Sequence, residues 1–420
     1  MRILVVTSIF PNGLQPNKGI YNWRAYSLLQ QQAEVRVISP VPWMQTLRMP
    51  GRRRWGHNPR GWEEWQGVRV SYPAYYYTPG ILRGRYGAFY QKSIRSTFRW
   101  ALEEFQPDLL LSCWAYPDGW VACQLGREHG LPVAVKVIGS DVLLVDEHPT
   151  RKAGTLHTLR EADAIFAVSR NLRDRAVELG ANPQTCLTIY SGTDCERFSP
   201  GDKGAARQRL GLPTEGCRLL FVGNLVGVKA IDVLIKAAGL LVERGVNFDL
   251  DIIGEGPLRD ELQGQISAAG LSERVKLLGR RLQADLPDWY RAANLVVLCS
   301  HSEGIPNVLL EGAACGTPCV ATRVGGIPEI ADLSPVDLVP PGNPAALADA
   351  IVAALTKSSQ EEYHPKPEAI HSDQSALAAM MQVFRTMVSS NKRPDGRGET
   401  PRTTKTPMVE QALTRDGFHD

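Results

Sequence analysis

The chain has 420 residues, more than a single hydrophobic core usually holds, and this length predicts two domains. Hydrophobic residues make up 43% of the chain, enough for two cores, and the formal net charge of +3 gives no reason to expect nucleic acid as a partner. The eight cysteines are spread singly without a C-x-x-C pair, which disfavours a zinc site and a disulfide framework and indicates free thiols in a reducing compartment.

Residues 1–195 predict a doubly wound α/β domain. Short apolar runs alternate with helical stretches such as 21–32 and 120–129, and this alternation is typical of a parallel sheet with crossover helices. The predicted strands are 3–6, 34–39, 108–112, 133–138, 164–168 and 187–190. The first apolar run is too short for a signal peptide, and no run reaches eighteen apolar residues, so we expect a cytoplasmic protein.

Segment 48–100 of this domain is basic and aromatic. It holds eleven Lys or Arg against two acids, with five of the nine Trp and six of the twelve Tyr between positions 43 and 100. Such a mixture suits the surface of an anionic bilayer, where aromatic rings lie at headgroup level, and predicts a peripheral position on the inner face of the plasma membrane. The alternative is a solvated basic face with the aromatic residues in the core.

The α/β alternation restarts in the second half. The sequence predicts a hinge at residues 196–210 and a second Rossmann-like domain at residues 211–356. Its strands are 219–222, 248–253, 275–278, 295–299, 318–321 and 337–339. A helical segment is predicted for 357–390, and the polar, Pro- and Gly-containing stretch 391–420 predicts a disordered tail. Two such domains in tandem would bind a ligand in a cleft at the carboxyl ends of their strands.

Two carboxylates lie eight residues apart at a predicted strand-to-helix junction. Glu303 falls on the loop and Glu311 on the helix, since Pro306 suits a first helical turn. The first-turn amides between them suit a phosphate or a sugar oxygen, and carboxylates accept hydrogen bonds strongly from hydroxyls. The pattern is typical of a nucleotide-sugar site, although a helix-terminal acid and a surface Glu would explain it equally.

Three further positions favour an anionic ligand. Lys229 lies near the start of a predicted helix, where a cation is unfavourable unless an anion lies between it and the helix end; a lysine pointing into water is the alternative. Gly19, at the start of the first helix, would allow a phosphate to approach closely, or would simply form a tight turn. Arg280 follows a strand and could place the backbone of its loop against the edge of a nucleotide base. No G-x-G-x-x-G follows the first strand, so a dinucleotide cofactor is disfavoured.

Taken together, four motifs resemble the donor domain of the family-4 retaining glycosyltransferases of GT-B fold. They are 222–229, 253–257, 302–311 and 325–329. Gly139-Ser140-Asp141 resembles the acceptor-domain turn of that family, and the opening 9–20 is similar to members that build bacterial surface or extracellular polysaccharides. The resemblance covers nearly all of residues 1–355.

The resemblance implies a role for each matching residue. Lys229 would neutralise the leaving diphosphate, Glu311 would hold the ribose hydroxyls, Glu303 would orient the transferred sugar, and Gly19 would cap the diphosphate. Lys229, Glu303 and Asp141 are thus the predicted catalytic residues. The predicted donor-binding set is Gly19, Gly223, Asn224, Lys229, Arg280, Glu303, Gly304, Ile305, Pro306, Asn307, Val308 and Glu311. No metal or cofactor is implied, because positioned positive charge can stabilise the departing diphosphate.

Three residues depart from the family pattern. Asn224 stands where the family usually has an Arg that grips phosphate, and Ala230 replaces a Gly after the donor lysine. Ile138 precedes Gly139-Ser140-Asp141 where the family often has a His that supports the reacting sugar. We therefore consider Asp141, or the neighbouring Lys136, for the chemistry on the acceptor side.

The sequence favours a retaining hexosyltransferase. Its donor would be a nucleotide diphosphate sugar, with UDP preferred to GDP, and its acceptor a lipid-linked oligosaccharide or a growing surface or extracellular polysaccharide. The alternatives are a nucleotide-sugar epimerase, which needs an acid and a base beside the sugar, and a non-catalytic nucleotide-sugar-binding partner of a transferase. Turnover of donor separates an enzyme from a binding subunit.

Overall fold

The computed structural model describes residues 1–46, 60–331, 336–358 and 373–391. The chain divides into two compact units, the first comprising Met1–Tyr190 together with the segment from Asp373 onward, and the second Ser191–Ser372. Both are α/β units built on a mainly parallel sheet, so the predicted fold class is confirmed. No helix in the described residues combines the length and the hydropathy that a membrane span requires.

The first unit contains an eight-stranded sheet and a short two-stranded one. Its strands are β1 (Arg2–Val6), β2 (Glu34–Ile38), β3 (Val41–Pro42), β4 (Glu63–Trp65), β5 (Val68–Ser71), β6 (Ala74–Tyr75), β7 (Leu109–Cys113), β8 (Val133–Val137), β9 (Ala164–Ala167) and β10 (Cys186–Thr188). The order of the large sheet is β10-β9-β8-β7-β1-β2-β5-β4, and only the edge pair β4–β5 is antiparallel among its described pairings. The strand order therefore reverses at β1, between β2 and β7.

Within residues 1–46 and 60–190, which the structure describes, this unit has seven α-helices. They are α1 (Ile20–Leu29), α2 (Trp43–Thr46), α3 (Tyr86–Phe105), α4 (Trp120–His129), α5 (Ser140–Leu143), α6 (Pro149–Glu161) and α7 (Arg170–Glu178). The central strands are buried on both faces because helices cover both, which explains their continuous apolar sequences. The sequence predicted α1, α4 and the central strands within a few residues, but assigned no elements to 40–107, where β3–β6, α2 and α3 lie.

The second unit is a smaller doubly wound domain. Its strands are β11 (Arg218–Val222), β12 (Asp249–Ile253), β13 (Val275–Gly279), β14 (Leu295–Leu298), β15 (Cys319–Thr322) and β16 (Val336–Val339). Its helices are α8 (Lys203–Arg209), α9 (Ile231–Glu243), α10 (Arg259–Ala268), α11 (Leu286–Ala292), α12 (Asn307–Ala314), α13 (Ile327–Ala331) and α14 (Pro344–Ser358). All described strand pairs are parallel, in the order β13-β12-β11-β14-β15-β16.

The segment predicted as a hinge is part of the second unit. Residues 196–210, predicted as a hinge, include α8, whose Arg207 is 2% exposed and donates hydrogen bonds to the Ala292 carbonyl oxygen (3.0 Å) and Asn294 Oδ1 (2.8 Å). Burial of this guanidinium with its partners fixes α8 within the second unit. The predicted tail 391–420 lies outside the described residues beyond Asn391.

The last described helix, α15 (Asp373–Asn391), returns to the first unit. Phe384 is fully buried with its ring centroid 5.6 Å from that of Phe166 in β9, and Arg24 of α1 pairs with Asp373. Residues 357–390 were predicted as a separate helical segment. The apolar stripe of α15 instead completes the core beneath β1 and β9.

Candidate active site

The residues after β11 and β14 meet where the strand order of the second unit reverses. β11 pairs with β12 on one side and with β14 on the other, so the chain leaves these two neighbouring strands toward opposite faces of the sheet. A doubly wound sheet leaves a crevice at that point, beyond the carboxyl ends of its strands, and ligands bind there.

Lys229 reaches this crevice from the loop after β11. The loop passes Gly223 and Asn224 and ends in a short 3₁₀ turn, Gly227–Lys229. Ala230 then adopts a left-handed conformation (φ 49°) and precedes the first residue of α9. Lys229 therefore lies immediately before the positive end of a helix, close to its predicted position.

Lys229 forms an ion pair with Glu303, which follows β14. The Lys229 Nζ to Glu303 Oε1 distance is 2.5 Å, and the two side chains are 21% and 11% exposed. Ser300 donates its hydroxyl to the same carboxylate oxygen at 2.6 Å, and Thr322 at the end of β15 donates to the Ser300 carbonyl oxygen at 2.6 Å. Residues from three neighbouring strand ends thus orient one carboxylate, whose charge lies against a lysine still accessible to solvent.

Two further contacts join the loops after β11 and β14. The His301 amide donates to the Val228 carbonyl oxygen at 2.8 Å, and the buried Cys299 thiol lies 3.2 Å from the carbonyl oxygens of Lys229 and Ala230. Burial raises the pKa of Cys299 to about 12, so the thiol stays protonated and acts as a donor near neutral pH. The backbone around Lys229 is therefore fixed.

Two glycine-containing turns support these loops. A purely structural role is enough to explain the glycines in them. A Cβ on Gly325 would lie 1.8 Å from the Glu303 carbonyl oxygen, and one on Gly254 would lie 1.8 Å from that of Gly223. Both glycines also have positive φ, 53° and 155°. Only glycine permits this approach, so each turn sets the position of a candidate site loop.

Helix α12 starts at Asn307, and Pro306 immediately precedes it. The amides of its first turn have no partner within the helix and carry the positive end of its dipole. The Gly304 carbonyl oxygen accepts from the Gly326 amide at 3.0 Å, which holds the approach to the helix. Gly304, Ile305 and Pro306 are buried, whereas Asn307 and Val308 are half-buried.

Glu311 lies one turn further along α12. It is 2% exposed, and the Tyr290 hydroxyl donates to its Oε2 at 2.7 Å. Glu311, the residue predicted to bind the ribose, is thus held in place by a core tyrosine. Asn224 and Arg280 are exposed, and neither forms a side-chain hydrogen bond or ion pair with the described residues.

Gly19 in the first unit has a local structural role. Its φ is +62°, and a Cβ there would lie 2.3 Å from the Ile9 carbonyl oxygen. Asn22 Nδ2 donates to that same oxygen at 2.8 Å. Close packing of the β1–α1 loop therefore requires glycine at this position, and its predicted contact with a diphosphate stays a prediction.

Asp141 in the first unit is 7% exposed and accepts three backbone hydrogen bonds. The Ala115 amide donates to Oδ2 at 3.0 Å, and the Ile138 and Gly139 amides donate to Oδ1 at 3.2 and 2.9 Å. Burial raises the pKa of Asp141, and the amide hydrogen bonds oppose that rise. These contacts are those of a loop anchor, and the catalytic role predicted for Asp141 stays a prediction.

Asp118 was missed at the sequence level. It is 1% exposed at the strand-order reversal of the first unit, where it accepts hydrogen bonds from the Ser8 amide, the Ser8 hydroxyl (3.1 Å) and the Tyr90 hydroxyl (3.3 Å). Burial raises its pKa to about 6, while Lys18 favours the charged form. An acid soon after the buried strand β7 was the available signal.

Similarity to known proteins divides the chain at the same place as the structure. Residues 21–192 match the glycosyl transferase 4-like domain, and residues 216–357 match the glycosyl transferases group 1 family. D-inositol 3-phosphate glycosyltransferase 2 of Catenulispora acidiphila is 36% identical over 263 residues, covering 56% of this chain and 59% of the relative. The corresponding protein of Kribbella flavida is 32% identical over 267 residues, covering 58% and 62%. The matched region thus spans about six-tenths of these relatives' length.

Solved structures support the fold. Sucrose-phosphate synthase from Thermosynechococcus elongatus superposes with a TM-score of 0.77 at 21% identity, covering 93% of this chain and 99% of that one. Anabaena HepE in complex with UDP and glucose gives a TM-score of 0.70 at 19% identity, covering 92% and 100%. The fold is therefore GT-B, with two Rossmann-like domains. Together, the matches to both halves of the chain support a family-4-type glycosyltransferase of GT-B fold, a transferase enzyme.

Proposed function

We propose that the protein transfers a hexose from a nucleotide diphosphate sugar to a hydroxyl acceptor with retention of configuration. The observation that carries this proposal is the Lys229–Glu303 pair at the strand-order reversal of the second unit. A buried structural ion pair would be closed off on all sides, whereas Lys229 keeps 21% of its side chain exposed. An incoming diphosphate can therefore reach the ammonium group without unfolding either loop.

Lys229 stabilises the charge that develops on the departing diphosphate. The C–O bond between the anomeric carbon and the diphosphate breaks, so negative charge grows on the leaving oxygen. A fixed cation beside a helix N-terminus lowers the energy of that state more than that of the intact donor. Because Glu303, Ser300 and Cys299 hold the lysine and its loop, little reorganisation is needed during the reaction.

Glu303 and Glu311 hold the two hydroxyl-bearing ends of the donor. Once the diphosphate pairs with Lys229, Glu303 accepts hydrogen bonds from the transferred sugar, and the first-turn amides of α12 donate to its oxygens. Glu311, oriented by Tyr290, accepts from the ribose. We propose a uridine nucleotide as donor, which the likeness to the UDP-bound HepE structure supports at the level of the fold.

A screen of UDP- and GDP-sugars tests this proposal. The purified chain should release nucleoside diphosphate from at least one donor, with retention of anomeric configuration in the product. Glu311→Ala should weaken donor binding, and Lys229→Ala should mainly lower turnover. Release of no nucleoside diphosphate, combined with donor affinity, would identify the non-catalytic binding subunit. Recovery of an isomerised nucleotide sugar would identify the epimerase.

The acceptor is a hydroxyl-bearing ring, which we place on a lipid-linked or growing glycan. The curated relatives named D-inositol 3-phosphate glycosyltransferases support a second candidate, a phosphorylated cyclitol. Mass spectrometry of products from polyprenyl-diphosphate-linked sugars and from inositol 3-phosphate, each incubated with the active donor, decides between them.

We further propose that the first unit docks on anionic membrane through the loop before α3. Four aromatic residues of segment 48–100 are core residues: Tyr72, Tyr75, Tyr90 and Phe98 are at most 7% exposed. The other aromatic residues that the structure describes in this segment are half-buried, except for the exposed Tyr76. The outward apolar side chains are Tyr76, Ile81 and Leu82, 51% to 65% exposed, followed by exposed Arg83 and Arg85. Apolar tips beside cations complement anionic headgroups, at about 1 kcal/mol per Lys or Arg.

Vesicle sedimentation tests this docking surface. The protein should bind vesicles of phosphatidylcholine with phosphatidylglycerol and stay free with phosphatidylcholine alone. Ile81→Ser with Leu82→Ser should abolish binding, whereas Leu282→Ser, an equally exposed leucine (62%) in the second unit, should not. Equal binding by both variants would contradict the proposed surface.

A further inference from the structure

Lys229 and Glu303 form one ion pair but are anchored by different neighbours. Cys299 and Ser300 are consecutive residues directly after β14, and both are fully buried. The Cys299 thiol lies 3.2 Å from the Lys229 carbonyl oxygen. The Ser300 hydroxyl donates to Glu303 Oε1 at 2.6 Å. Each member of the pair therefore keeps an anchor of its own when the pair opens.

One oxygen of Glu303 receives both of its donors. Lys229 Nζ lies 2.5 Å from Oε1, the same atom to which Ser300 donates. The other oxygen, Oε2, accepts no hydrogen bond from any residue that the structure describes, and the side chain is 11% exposed. The carboxylate thus has one oxygen fixed by the protein and one oxygen available to a hydroxyl of a ligand.

A diphosphate at Lys229 changes the charges around Glu303. The ammonium group then lies between two anions, the carboxylate and the phosphate oxygens. Like charges repel, so the carboxylate turns away from the diphosphate unless a second anchor holds it. Once Lys229 bonds to the phosphate, the Ser300 hydroxyl is the remaining donor on Oε1 among the described residues. A hydrogen bond to a charged oxygen is stronger than one between neutral groups, which suits this anchoring role.

Ser300 is itself held by the neighbouring strand. Thr322 is the last residue of β15, is 1% exposed, and donates its hydroxyl to the Ser300 carbonyl oxygen at 2.6 Å. Directly before this contact, β14 and β15 pair through Leu298 and Ala321. Ser300 therefore presents its hydroxyl to Glu303 from a backbone that the sheet fixes.

We propose that Ser300 is a positioning residue for sugar transfer. It keeps Glu303 in place while Lys229 passes from the carboxylate to the diphosphate of the donor. The free oxygen of Glu303 then accepts a hydroxyl of the transferred sugar, so the anomeric carbon stays aligned while its bond to the diphosphate breaks. The inference rests on the proposed function and deepens it, because it assigns the residue that holds the sugar's ligand after the ion pair has opened.

Calorimetric titration of the full chain with UDP and with a UDP-sugar tests the assignment. The UDP-sugar is the active donor of the screen, or UDP-glucose where none is turned over. UDP carries the diphosphate without the sugar, so the ratio of UDP-sugar affinity to UDP affinity reports the contact with Glu303. Ser300→Ala should bind UDP as the parent does and lower this ratio about tenfold, the usual loss for one hydrogen bond to a charged group. Thr322→Val, which releases the Ser300 backbone, should lower it less.

A second background separates positioning from a general structural role. Adding Ser300→Ala to Glu303→Ala should change neither affinity further, since the hydroxyl then has no carboxylate to hold. The matched control is Ser112→Ala. Ser112 of β7 is also fully buried, and its hydroxyl donates to the Val6 carbonyl oxygen at 2.8 Å. This control should leave both affinities as in the parent.

The opening of the ion pair is tested with Glu303→Gln. Glutamine has the shape of glutamate but removes the negative charge that pairs with Lys229. UDP should bind this variant several-fold more tightly than the parent, since its diphosphate no longer competes with a carboxylate for the ammonium group. Unchanged or weaker UDP binding would show that the pair stays closed, and would overturn the inference.

The role of Ser300 also fails if the parent and Ser300→Ala have equal affinity ratios. An equal loss of UDP and UDP-sugar affinity would make Ser300 a structural residue and overturn the inference as well. Thermal unfolding of each variant identifies any that fails to fold. Ser300→Thr, which keeps a hydroxyl, should restore part of the ratio that Ser300→Ala loses.

The positioning role and the transferase function fail in different ways. A parent that turns over donor and is unaffected by Ser300→Ala overturns the positioning role alone. A parent that turns over no donor, yet loses its affinity ratio in Ser300→Ala, retains the positioning role and overturns the transferase function. A parent without affinity for UDP or a UDP-sugar overturns both.

Discussion

The two units have the same reversal of strand order but place different chemistry there. At β1 and β7 of the first unit, Asp118 is 1% exposed, and it accepts hydrogen bonds from Ser8 after β1 and from Tyr90 of α3, which join these segments. At β11 and β14 of the second, Lys229 and Glu303 pair while remaining partly accessible. Topology therefore supplies a crevice in both units, and the residue types that follow the strands decide whether it is a structural lock or a site for a charged ligand.

The largest effect is expected at the second reversal. Lys229→Ala should lower kcat by a factor of about 100 to 1,000, since it removes the charge that stabilises the departing diphosphate. Donor turnover measured with saturating nucleotide sugar checks this. Lys236→Ala removes an exposed lysine on the following helix, paired with Asp232, and should leave turnover unchanged. Equal turnover by Lys229→Ala and the parent would show that the two reversals do not differ in function.

At the strand-order reversal of the first unit, the protonation of Asp118 should make the stability of the protein depend on pH. Burial raises the pKa of Asp118 from 3.8 to about 6, so the folded state binds the proton more tightly than the unfolded chain. The stabilisation from protonated Asp118 is full below the pKa that this carboxyl has in the unfolded chain. It is lost as pH rises through 6, a change of about 3 kcal/mol in the free energy of unfolding. Urea unfolding between pH 4 and 7.5 should show the parent losing stability relative to Asp118→Asn. Parallel curves would contradict a buried, titrating Asp118.

A smaller effect is expected where the β1–α1 loop packs. Gly19→Ala should lower the unfolding free energy by about 1 to 3 kcal/mol, because the new Cβ meets the Ile9 carbonyl oxygen and φ is positive. Gly130→Ala is the matched control, since its φ is +67° with nothing within 4 Å of the added carbon, and it should cost about 1 kcal/mol. Similar losses in the two variants would remove the packing explanation for Gly19.

The smallest effect on stability and donor affinity is expected at Tyr290, which contacts Glu311 of α12. Tyr290→Phe removes the hydrogen bond to Glu311 and should cost about 1 kcal/mol of stability. If Tyr290 also orients Glu311 for the ribose, donor affinity should fall a few-fold while kcat at saturation is kept. A fall in kcat without a change in donor affinity would separate Glu311 from ribose binding.

The sequence predicted the parallel strands, and it placed the candidate donor residues at the junctions that follow them, because strands and junctions are both encoded locally. A buried strand such as β14 is a continuous apolar run, and Glu303 with Glu311 marks the junction that follows it. The sequence also placed Lys229 beside a helix end. It did not show that Lys229 and Glu303, 74 residues apart, form a direct pair, since that contact depends on the order of strands in the sheet.

Tertiary structure alone decided the remaining features. α15 looked like a separate segment, yet it buries Phe384 against the first unit because the sheet left an apolar face uncovered. Asp141 was predicted to act on the acceptor side, and that role stays a prediction. Only the structure shows that it also accepts the amide of Ala115, which is 26 residues away in the chain. Local sequence thus determined which elements form and which residues are candidates for binding a charged ligand. Packing between distant elements decided how far each candidate is buried and which groups it contacts, because burial and hydrogen-bond partners are set only when the sheet assembles.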